Sequence, residues 1–329
     1  MQILIIGSNS FAGSTFCKFL LDKKFKVIGV SRSKQLNDIF LPYKKSKFIK
    51  NFKFFKIDLN QDRDQVRLMN IIKKYKIKYV VNFAAQGMVA QSWINPQDWY
   101  NTNITSNAKL IKKLSRIKIK KYLNFSTPEV YGNITKKIKE NKNFFPSTPY
   151  AVSRTAQDLN LLAYNKFFDF PVVFTRAANI FGPGQQLYRI VPKAIICAIS
   201  NKILHLHGGG KSVRSFIFMD DVCDALDKIL FDPKNVGQTF HISTNRFVSI
   251  EFLVKNIFKL LNANINNIKV VSDRKGKDHG YLLNSNKLRK KYNWRPSNNL
   301  KTGLETTIRW VLENFSFIKK QNLEYKHKK

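Results

Sequence analysis

The feature that most constrains the fold is a short apolar run that ends in a glycine turn. Residues 2–6 (QILII) are almost entirely apolar, which is typical of a strand buried on both faces within a parallel sheet. The turn Gly7-Ser-Asn-Ser-Phe-Ala-Gly13 follows directly, and residues 11–21 have the apolar spacing of a helix. A strand that enters a helix through such a turn favours an α/β fold with an anionic group at the helix N-terminus.

The same alternation of apolar strands and helices continues through the first half of the chain. Further strands are predicted at residues 26–30, 52–57, 78–83, 121–126 and 172–175, and further helices at residues 66–75, 103–114 and 150–167. Strands that alternate with helices over this length predict a doubly wound parallel α/β sheet of the Rossmann type.

The pattern changes at about residue 177, where glycine-rich loops at 182–184 and 208–210 separate shorter elements. This change predicts a Rossmann domain at residues 1–176 and a smaller α/β domain at residues 177–329, with some exchange of chain between them. The tail from Lys319 is polar and basic, and we expect it to be frayed.

The net charge of +37, from 58 basic and 21 acidic residues, raises the question of a nucleic-acid partner. The basic residues are 45 lysines and only 13 arginines, and the lysines are spread along the chain in short clusters. A dedicated phosphate-binding surface favours arginine, because the planar guanidinium can donate two parallel hydrogen bonds to one phosphate. The composition therefore favours a solvated basic surface over a nucleic-acid interface.

Cysteine usage and hydropathy indicate the cellular compartment of the protein. Cys17, Cys197 and Cys223 are scattered without a Cys-x-x-Cys pair, which is typical of a reducing compartment. No apolar run approaches the about 18 residues of a membrane span, and no apolar signal core precedes the first strand. We therefore expect a cytoplasmic protein with neither a membrane nor a nucleic acid as its partner.

The glycine turn and the ends of the next two strands carry residues suited to a dinucleotide. Gly7 and Gly13 hold the outer positions of the glycine pattern, and Ser10 stands at the middle one. Arg32 follows the second strand, where an acidic residue would bind the ribose of NAD, so its guanidinium favours the 2′-phosphate of NADP. Asp58 ends the third strand, where it can either meet the adenine or form a turn or helix cap.

A second group of polar residues lies further along the chain. Thr127 follows the fifth strand, and Tyr150 and Arg154 lie four residues apart on one face of the long helix. Together they can form a hydride-transfer site in which the phenol exchanges the alcohol proton, while the cation lowers the phenol pKa and holds the ribose. Ligands of open α/β sheets bind at the carboxyl ends of the strands, so we expect this site behind the glycine turn.

These motifs resemble those of the extended short-chain dehydrogenase/reductase family, close to the nucleotide-sugar 4,6-dehydratases of the dTDP-glucose and GDP-mannose type. The resemblance covers nearly the whole chain. Beyond the glycine turn, the matching blocks are Asn82-Phe-Ala-Ala-Gln86, Asn101-Thr-Asn103, residues 127–132, residues 150–154, Arg176-Ala-Ala-Asn-Ile-Phe-Gly182, Arg214-Ser-Phe-Ile-Phe218 and Asp273-Arg-Lys-Gly-Lys-Asp278.

The resemblance implies a reaction and its partners. Tyr150 would be the base that accepts the proton of the sugar C4 hydroxyl, with Thr127 as its hydroxyl partner, and Glu129 would remove the acidified C5 proton. Water would leave from C6 and hydride would return to C6, giving a 4-keto-6-deoxy sugar. The implied partners are NADP, or else NAD, bound by the domain at residues 1–176, and a nucleotide diphosphate sugar bound by the domain at residues 177–329. The implied assembly is a homodimer through the predicted helices 103–114 and 150–167, with a tetramer left open.

Two residues depart from the family pattern. Pro128 stands where the family has an Asp or Ser that assists the departure of the C6 hydroxyl, and proline cannot donate a proton. Either water or Glu129 moves that proton, or the enzyme does not dehydrate its substrate. Arg154 stands where the family has lysine, and its permanent charge can hold the ribose but cannot relay a proton. We take Arg154 as a working substitute, with an impaired site as the alternative.

The resemblance also assigns binding residues. For the cofactor they are Gly7, Ser10, Phe11, Gly13, Arg32, Asp58, Leu59, Ala84, Ala85, Tyr150 and Arg154. For the substrate they are Gln86, Asn179, Gln185, Arg189, Lys193, Arg214 and Arg274, with Trp93 beside Gln86 on the sugar side. In this assignment Asn179 contacts a phosphate and the last two arginines clamp the pyrophosphate. His205 and His207 alternate along a strand without a visible third ligand, so we predict no metal site.

Three functional hypotheses follow from the sequence. The first is a nucleotide-sugar 4,6-dehydratase. The second is a 4-epimerase or C6 decarboxylase on the same scaffold, in which Glu129 has another use. The third is a non-catalytic basic protein that binds RNA, for which a salt-dependent gel shift without turnover would be the signature. Because Thr127, Glu129 and Tyr150 are all present, the sequence favours an enzyme over the third hypothesis.

Overall fold

The computed structural model describes residues 1–134, 136–273 and 280–327. Its strands are β1 (Gln2–Ile6), β2 (Lys26–Ser31), β3 (Phe52–Lys56), β4 (Tyr79–Asn82), β5 (Lys121–Ser126), β6 (Val172–Ala177), β7 (Asn179–Phe181), β8 (Leu204–His207), β9 (Val213–Arg214), β10 (Phe216–Phe218), β11 (Thr239–Ile242), β12 (Val248–Ser249), β13 (Ile268–Val271) and β14 (Gly280–Tyr281). Its α-helices are α1 (Phe11–Asp22), α2 (Asp62–Lys74), α3 (Pro96–Tyr100), α4 (Asn107–Leu114), α5 (Pro149–Phe168), α6 (Ile190–Ile199), α7 (Met219–Phe231), α8 (Ile250–Leu260), α9 (Asn286–Tyr292), α10 (Leu300–Glu313) and α11 (Phe315–Ile318).

In the described part of the chain, the main sheet has seven parallel strands in the order β11-β6-β5-β4-β1-β2-β3. The order reverses between β1 and β4, so the carboxyl ends of these two strands open a crevice at the edge where the glycine turn lies. Helices cover both faces, and separate apolar clusters fill the two layers. The predicted doubly wound α/β sheet is therefore confirmed.

Local chemistry explains where the helices of the site begin. Ser10 precedes α1 and its side chain accepts a hydrogen bond from the Gly13 amide, while Thr148 does the same for Ala151 at the start of α5. Pro149 is the first residue of α5, where the missing amide hydrogen costs nothing. The two caps fix the helix ends that face the crevice.

The helix predicted at residues 103–114 is longer and irregular. It runs on from α3 through a π-helical stretch, Asn101–Ser106, into α4. The wider π turn coincides with the Asn101-Thr-Asn103 motif, and Asn103 is buried there. Such π turns are frequent at functional sites because they redirect side chains without ending the helix.

The chain after β6 builds a smaller layer over the crevice and also completes the main sheet. Strand β11 pairs with β6, and α7 packs against α1, so residues beyond the proposed boundary at 176 belong to the first layer. The pairs β7–β10 and β8–β13, with helices α6, α8 and α10, surround a separate apolar core. This layer forms the outer wall of the crevice.

The tail does not fray as the sequence suggested. Leu323 packs against the core of the smaller layer, and Tyr325 contacts Tyr188 with ring centroids 5.2 Å apart. The expectation of a frayed tail is wrong for residues 323–327, because these apolar and aromatic side chains find partners far away in the sequence.

Within the described residues, no helix combines the length and the apolar character needed to cross a bilayer.

Candidate active site

A cavity of about 1140 Å³ lies between the carboxyl edge of the main sheet and the smaller layer. It brings together most of the residues predicted from the sequence. Those that line it are Gly7, Ser10, Phe11, Arg32, Asp58, Leu59, Ala84, Ala85, Gln86, Thr127, Glu129, Tyr150, Arg154, Asn179, Gln185, Arg189, Lys193 and Arg214. His205 and His207 line it as well, and Arg274 lies outside the described residues.

The glycine turn is held by close backbone packing. A side chain on Gly7, whose φ is +86°, would come within 2.8 Å of the Ala84 nitrogen. A side chain on Gly13 would come within 2.2 Å of the Gly7 carbonyl oxygen. Gly13 therefore permits the close approach of α1 and β1 and lies behind the cavity wall. Ser10 accepts from the Gly13 amide at 3.0 Å and donates to the Gly7 carbonyl at 2.7 Å, so it stabilises the turn.

The ends of β2 and β3 form the far end of the cavity. Nη2 of Arg32 lies 3.4 Å from Oε1 of Gln86, which connects the predicted cofactor and sugar sides. The Ser31 hydroxyl accepts a hydrogen bond from the Asn9 amide at 3.0 Å, which holds this loop against the glycine turn. Asp58 accepts from the Asn60 amide at 3.0 Å, so it forms a turn and also lines the cavity.

The four predicted catalytic residues come from two elements that meet at the centre of the cavity. Thr127 and Glu129 follow β5, while Tyr150 and Arg154 lie on the first two turns of α5. The Ser92 hydroxyl accepts a hydrogen bond from the Tyr150 amide at 3.1 Å, and Nη2 of Arg154 donates to the Phe125 carbonyl at 2.6 Å. The first bond ties the start of α5 to the segment after β4, and the second ties it to the end of β5.

The pKa of Tyr150 differs from the sequence expectation. Burial raises it above the ordinary phenol value, and the nearby Glu129 carboxylate raises it further. The charge of Arg154 and a hydrogen bond with Thr127 lower it, but they do not reverse the rise. The expected lowering by the cation is therefore present but is outweighed, and the phenol carries its proton at neutral pH.

The predicted substrate residues lie on the opposite wall. Arg214 is buried, its guanidinium lies 4.3 Å from the centre of the Tyr281 ring, and it donates to the Val213 carbonyl. Gln185 donates to the Ile180 carbonyl at 2.8 Å, and Lys193 pairs with Glu324 at 2.6 Å. Trp93 is 52% exposed and lies outside the cavity lining, so the structure does not bring it to the sugar side.

Comparison with known proteins identifies the family. The model of the GDP-mannose 4,6 dehydratase family matches residues 4–307. The chain belongs to this family. It is an enzyme of the extended short-chain dehydrogenase/reductase class, and the resemblance stated from the sequence is confirmed.

Individual relatives support the assignment of the chain to the GDP-mannose 4,6 dehydratase family. It is 30% identical to the Arabidopsis thaliana trifunctional UDP-glucose 4,6-dehydratase/UDP-4-keto-6-deoxy-D-glucose 3,5-epimerase/UDP-4-keto-L-rhamnose-reductase RHM1, over 95% of this chain and 47% of that protein. It thus spans about half the length of that relative. It is 31% identical to human dTDP-D-glucose 4,6-dehydratase over 80% of this chain and 76% of the human protein.

Solved structures show the same scaffold. The dTDP-glucose 4,6-dehydratase DesIV of Streptomyces venezuelae, determined with NAD bound, has a TM-score of 0.88 at 25% identity and covers 96% of this chain and 98% of its own. The UDP-glucuronic acid 4-epimerase of Bacillus cereus has a TM-score of 0.87 at 23% identity over 95% of this chain and 99% of its own. The second likeness concerns the fold alone.

The cavity of this family member fits a polar dinucleotide. Among the described residues, Oδ1 of Asn9, Nε of Arg154 and Oε1 of Gln185 are buried without a hydrogen-bond partner. All three residues line the cavity. Buried polar atoms nearly always have partners, so these three indicate that a hydrogen-bonding ligand completes the site. The glycine turn provides the close backbone approach that a pyrophosphate needs.

Sequence reasoning missed a buried charge cluster behind the predicted catalytic residues. Asp158 accepts hydrogen bonds from the Ser126 hydroxyl at 2.6 Å and from the Asn124 amide at 2.9 Å, and it pairs with Arg176 at 2.9 Å. Arg176 also donates to the Tyr131 hydroxyl. The signal was available, because Asp158 follows Tyr150 and Arg154 at intervals of four on the same face of α5.

The cluster extends to a neutral histidine. The Tyr131 hydroxyl lies 2.9 Å from Nε2 of His241, and burial lowers the pKa of His241 to about 3, helped by the charge of Arg176. The Glu140 carboxylate accepts from the His241 amide at 2.8 Å. The cluster therefore ties β5, α5, β6 and β11 together directly beneath Thr127 and Glu129.

Proposed function

We propose that the protein is an NAD(P)-dependent nucleotide-sugar 4,6-dehydratase that converts an NDP-hexose to an NDP-4-keto-6-deoxyhexose. The observation that carries the proposal is the meeting of Thr127, Glu129 and Tyr150 on one wall of a cavity whose opposite wall carries Arg214 and Lys193. The first wall has the groups for proton transfer at carbon, and the second has cations for a diphosphate. The named 4,6-dehydratases among its relatives support the same reaction.

The cofactor and the protein divide the chemistry between them. A bound nicotinamide cofactor, held by the glycine turn, Tyr150 and Arg154, would supply the hydride acceptor for C4 of the sugar and the hydride donor for C6. Tyr150 accepts the proton of the C4 hydroxyl, and Thr127 holds the phenol oxygen through its hydrogen bond. Because the resting phenol is protonated, it must first release its proton to the solvent, and the positive charge of Arg154 favours that ionisation. Arg154 acts as a fixed charge and not as a proton relay.

Glu129 carries the proton chemistry at C5. Oxidation at C4 acidifies the C5 hydrogen because the resulting carbanion is an enolate, and the carboxylate removes it. Two protons leave the sugar, from the C4 hydroxyl and from C5. Two protons are also consumed: one leaves with the C6 hydroxyl as water, and one is added back to C5. Because Pro128 has no proton to donate, we assign the protonation of the leaving hydroxyl to Glu129.

The residues of the second cavity wall bind the substrate. The nucleotide diphosphate sugar is held by Asn179, Gln185, Arg189, Lys193 and Arg214, and the last of these is rigid because it stacks on Tyr281.

For assembly we propose a homodimer through α4 and α5. Val152, Leu159 and Phe167 are exposed apolar residues on α5, which supports a covered helix face.

The dehydratase is tested by product analysis. Purified protein is incubated with NAD or NADP and separately with GDP-, UDP- and dTDP-hexoses, and the products are identified by mass spectrometry and NMR. We expect a 4-keto-6-deoxy product that has lost one water molecule.

A second candidate function is a 4-epimerase, which is favoured by the absence of a proton donor at Pro128. A C4 epimer formed without loss of water would establish that candidate and contradict the dehydratase.

We further propose that NADP is preferred over NAD, although solved relatives were determined with NAD. Arg32 stands at the end of β2 and lines the cavity, where its guanidinium can bind a 2′-phosphate. For Arg32→Ala we expect the affinity for NADP to fall about 10- to 100-fold, since a charge-assisted hydrogen bond contributes about 1.5–3 kcal/mol. The affinity for NAD should change less than about twofold.

Titration calorimetry with both cofactors measures the Arg32 effect. The matched control is Arg63→Ala, which removes an exposed arginine from the first turn of α2. Its effect on both affinities should be negligible, because the residue lies outside the cavity lining. An equal loss of NAD and NADP affinity in Arg32→Ala would show that the guanidinium does not read the 2′-phosphate.

A further inference from the structure

Residues 323–327, here called the strap, cross the mouth of the cavity. Glu324, Tyr325 and Lys326 are part of the cavity lining, although they lie more than 100 residues beyond Arg214 in the sequence. No motif of the family marks this segment. Its position follows from contacts on both sides of the cavity, which show that the strap spans the opening.

One end of the strap is held on the side of the main sheet. The His327 ring stacks on the Trp99 ring with centroids 4.9 Å apart and an interplanar angle of 7°. Nε2 of His327 also lies 2.7 Å from Oδ2 of Asp98. Both partners belong to α3, and Trp99 is fully buried, so this attachment point is rigid.

The other contacts hold the strap on the side of the smaller layer. Leu323 packs into the apolar core there, and Tyr325 meets Tyr188 edge to face at 5.2 Å. Burial raises the pKa of Tyr325, and the charges of Arg32 and Arg189 oppose the rise. The phenol therefore lies close enough to Arg32 and Arg189 for their charges to act on it.

The contact between Glu324 and Lys193 gives the strap a chemical role. Their oxygen and nitrogen are 2.6 Å apart, and the lysine side chain is 27% exposed whereas the glutamate is 73% exposed. Lys193 is also a cavity residue that we assign to the nucleotide diphosphate sugar. A diphosphate and the Glu324 carboxylate would compete for the same ammonium group, because both are anions that need it as a counter-charge.

We propose that the strap is part of the ligand-binding site, and that Glu324 occupies Lys193 until a nucleoside diphosphate group displaces it. Tyr325 and Tyr188 then form an aromatic wall beside the bound nucleotide. The inference rests on the proposed function, since it takes the cavity to bind a nucleoside diphosphate. It adds a carboxylate of the protein itself, Glu324, which competes with the diphosphate for Lys193 and so sets the affinity for that group.

The test is the Glu324→Gln variant, which removes the charge and keeps the size. Its side chain is mostly exposed, so the variant folds. We expect the dissociation constants of UDP, dTDP or GDP, measured by calorimetry, to fall about two- to fivefold, the range that an exposed ion pair corresponds to. Glu313→Gln, an exposed glutamate at the end of α10, is the matched control and should leave the constants unchanged.

A double-mutant comparison shows whether the effect passes through Lys193. In a Lys193→Gln background, Glu324→Gln should no longer tighten binding, because the competing contact is already absent. Equal constants for the native protein and Glu324→Gln would overturn the inference. So would weaker binding in Glu324→Gln, or the same tightening in both backgrounds.

Limited proteolysis of the ligand-free protein separates the strap from the proposed function. We expect slow chymotrypsin cleavage after Tyr325, whose ring packs on Tyr188, and faster cleavage in His327→Ala, which loses the Trp99 stack and the Asp98 contact. If no nucleoside diphosphate binds any variant, the proposed function fails, and the cleavage rate decides the strap. Fast cleavage in the native protein then overturns the inference, and slow cleavage that His327→Ala accelerates supports the closed strap.

Discussion

Tyr150→Phe should lower kcat by about 10²- to 10⁴-fold, the range that a positioned acid–base group contributes, while the cofactor affinity stays within about twofold of the native value. The phenol oxygen is the atom that exchanges the C4 proton in the proposed reaction. The ring of phenylalanine still fills the buried position, so the fold and the cofactor site are preserved. Steady-state turnover of the accepted NDP-hexose, together with calorimetric titration of NADP, measures the two quantities separately.

The matched control for this variant is Tyr164→Phe. Tyr164 lies on the same helix, about four turns further on, and its ring contacts Phe168 and not the cavity. Turnover of the control should equal that of the native protein. If Tyr150→Phe retains near-full turnover, the catalytic assignment is wrong, whatever the product.

Asp158→Asn should lower the free energy of unfolding by about 3–5 kcal/mol, because removing one partner of a buried ion pair leaves the other charge uncompensated. Both side chains are almost completely buried, with 0% exposure for Asp158 and 2% for Arg176. Asparagine keeps the size of aspartate, so little of the loss comes from a cavity. Chemical denaturation followed by circular dichroism measures the change.

A surface ion pair provides the comparison for the Asp158 variant. Glu305 and Lys301 are 3.9 Å apart on α10 and both are exposed, so Glu305→Ala should cost less than about 1 kcal/mol. We also expect kcat of Asp158→Asn to fall, because Ser126, which it binds, directly precedes Thr127. A loss of stability no larger than that of Glu305→Ala would contradict the role given to the buried pair.

Much of the fold was predictable because local patterns carried it. The strands at residues 2–6 and 121–126 have the predicted ends, since each is an apolar run closed by a turn. Helix α2 begins at Asp62, four residues before the predicted start, because Asp62 and Asp64 in its first turn favour the helix N-terminus. Apolar spacing alone does not report that contribution.

The site was predictable to the extent that topology gathers it. Parallel strands bring their carboxyl ends to one edge, so Arg32, Thr127 and Asn179 had to lie near the same crevice. The glycine turn and the spacing of Tyr150 and Arg154 indicated the chemistry that we propose. Trp93 shows the limit of this reasoning, because its loop turns the ring to solvent and away from the cavity.

By itself, then, the sequence determined the order of elements, the edge of the sheet at which the cavity lies and the proton-exchanging side chains Thr127, Glu129 and Tyr150 that line it. Only the tertiary structure decided the net rise of the pKa of Tyr150, the burial of Asp158 against Arg176 and the path of the strap over Lys193. The physical reason is common to all three. Burial and charge act through space between residues far apart in the chain, whereas sequence patterns report only neighbours within a few turns.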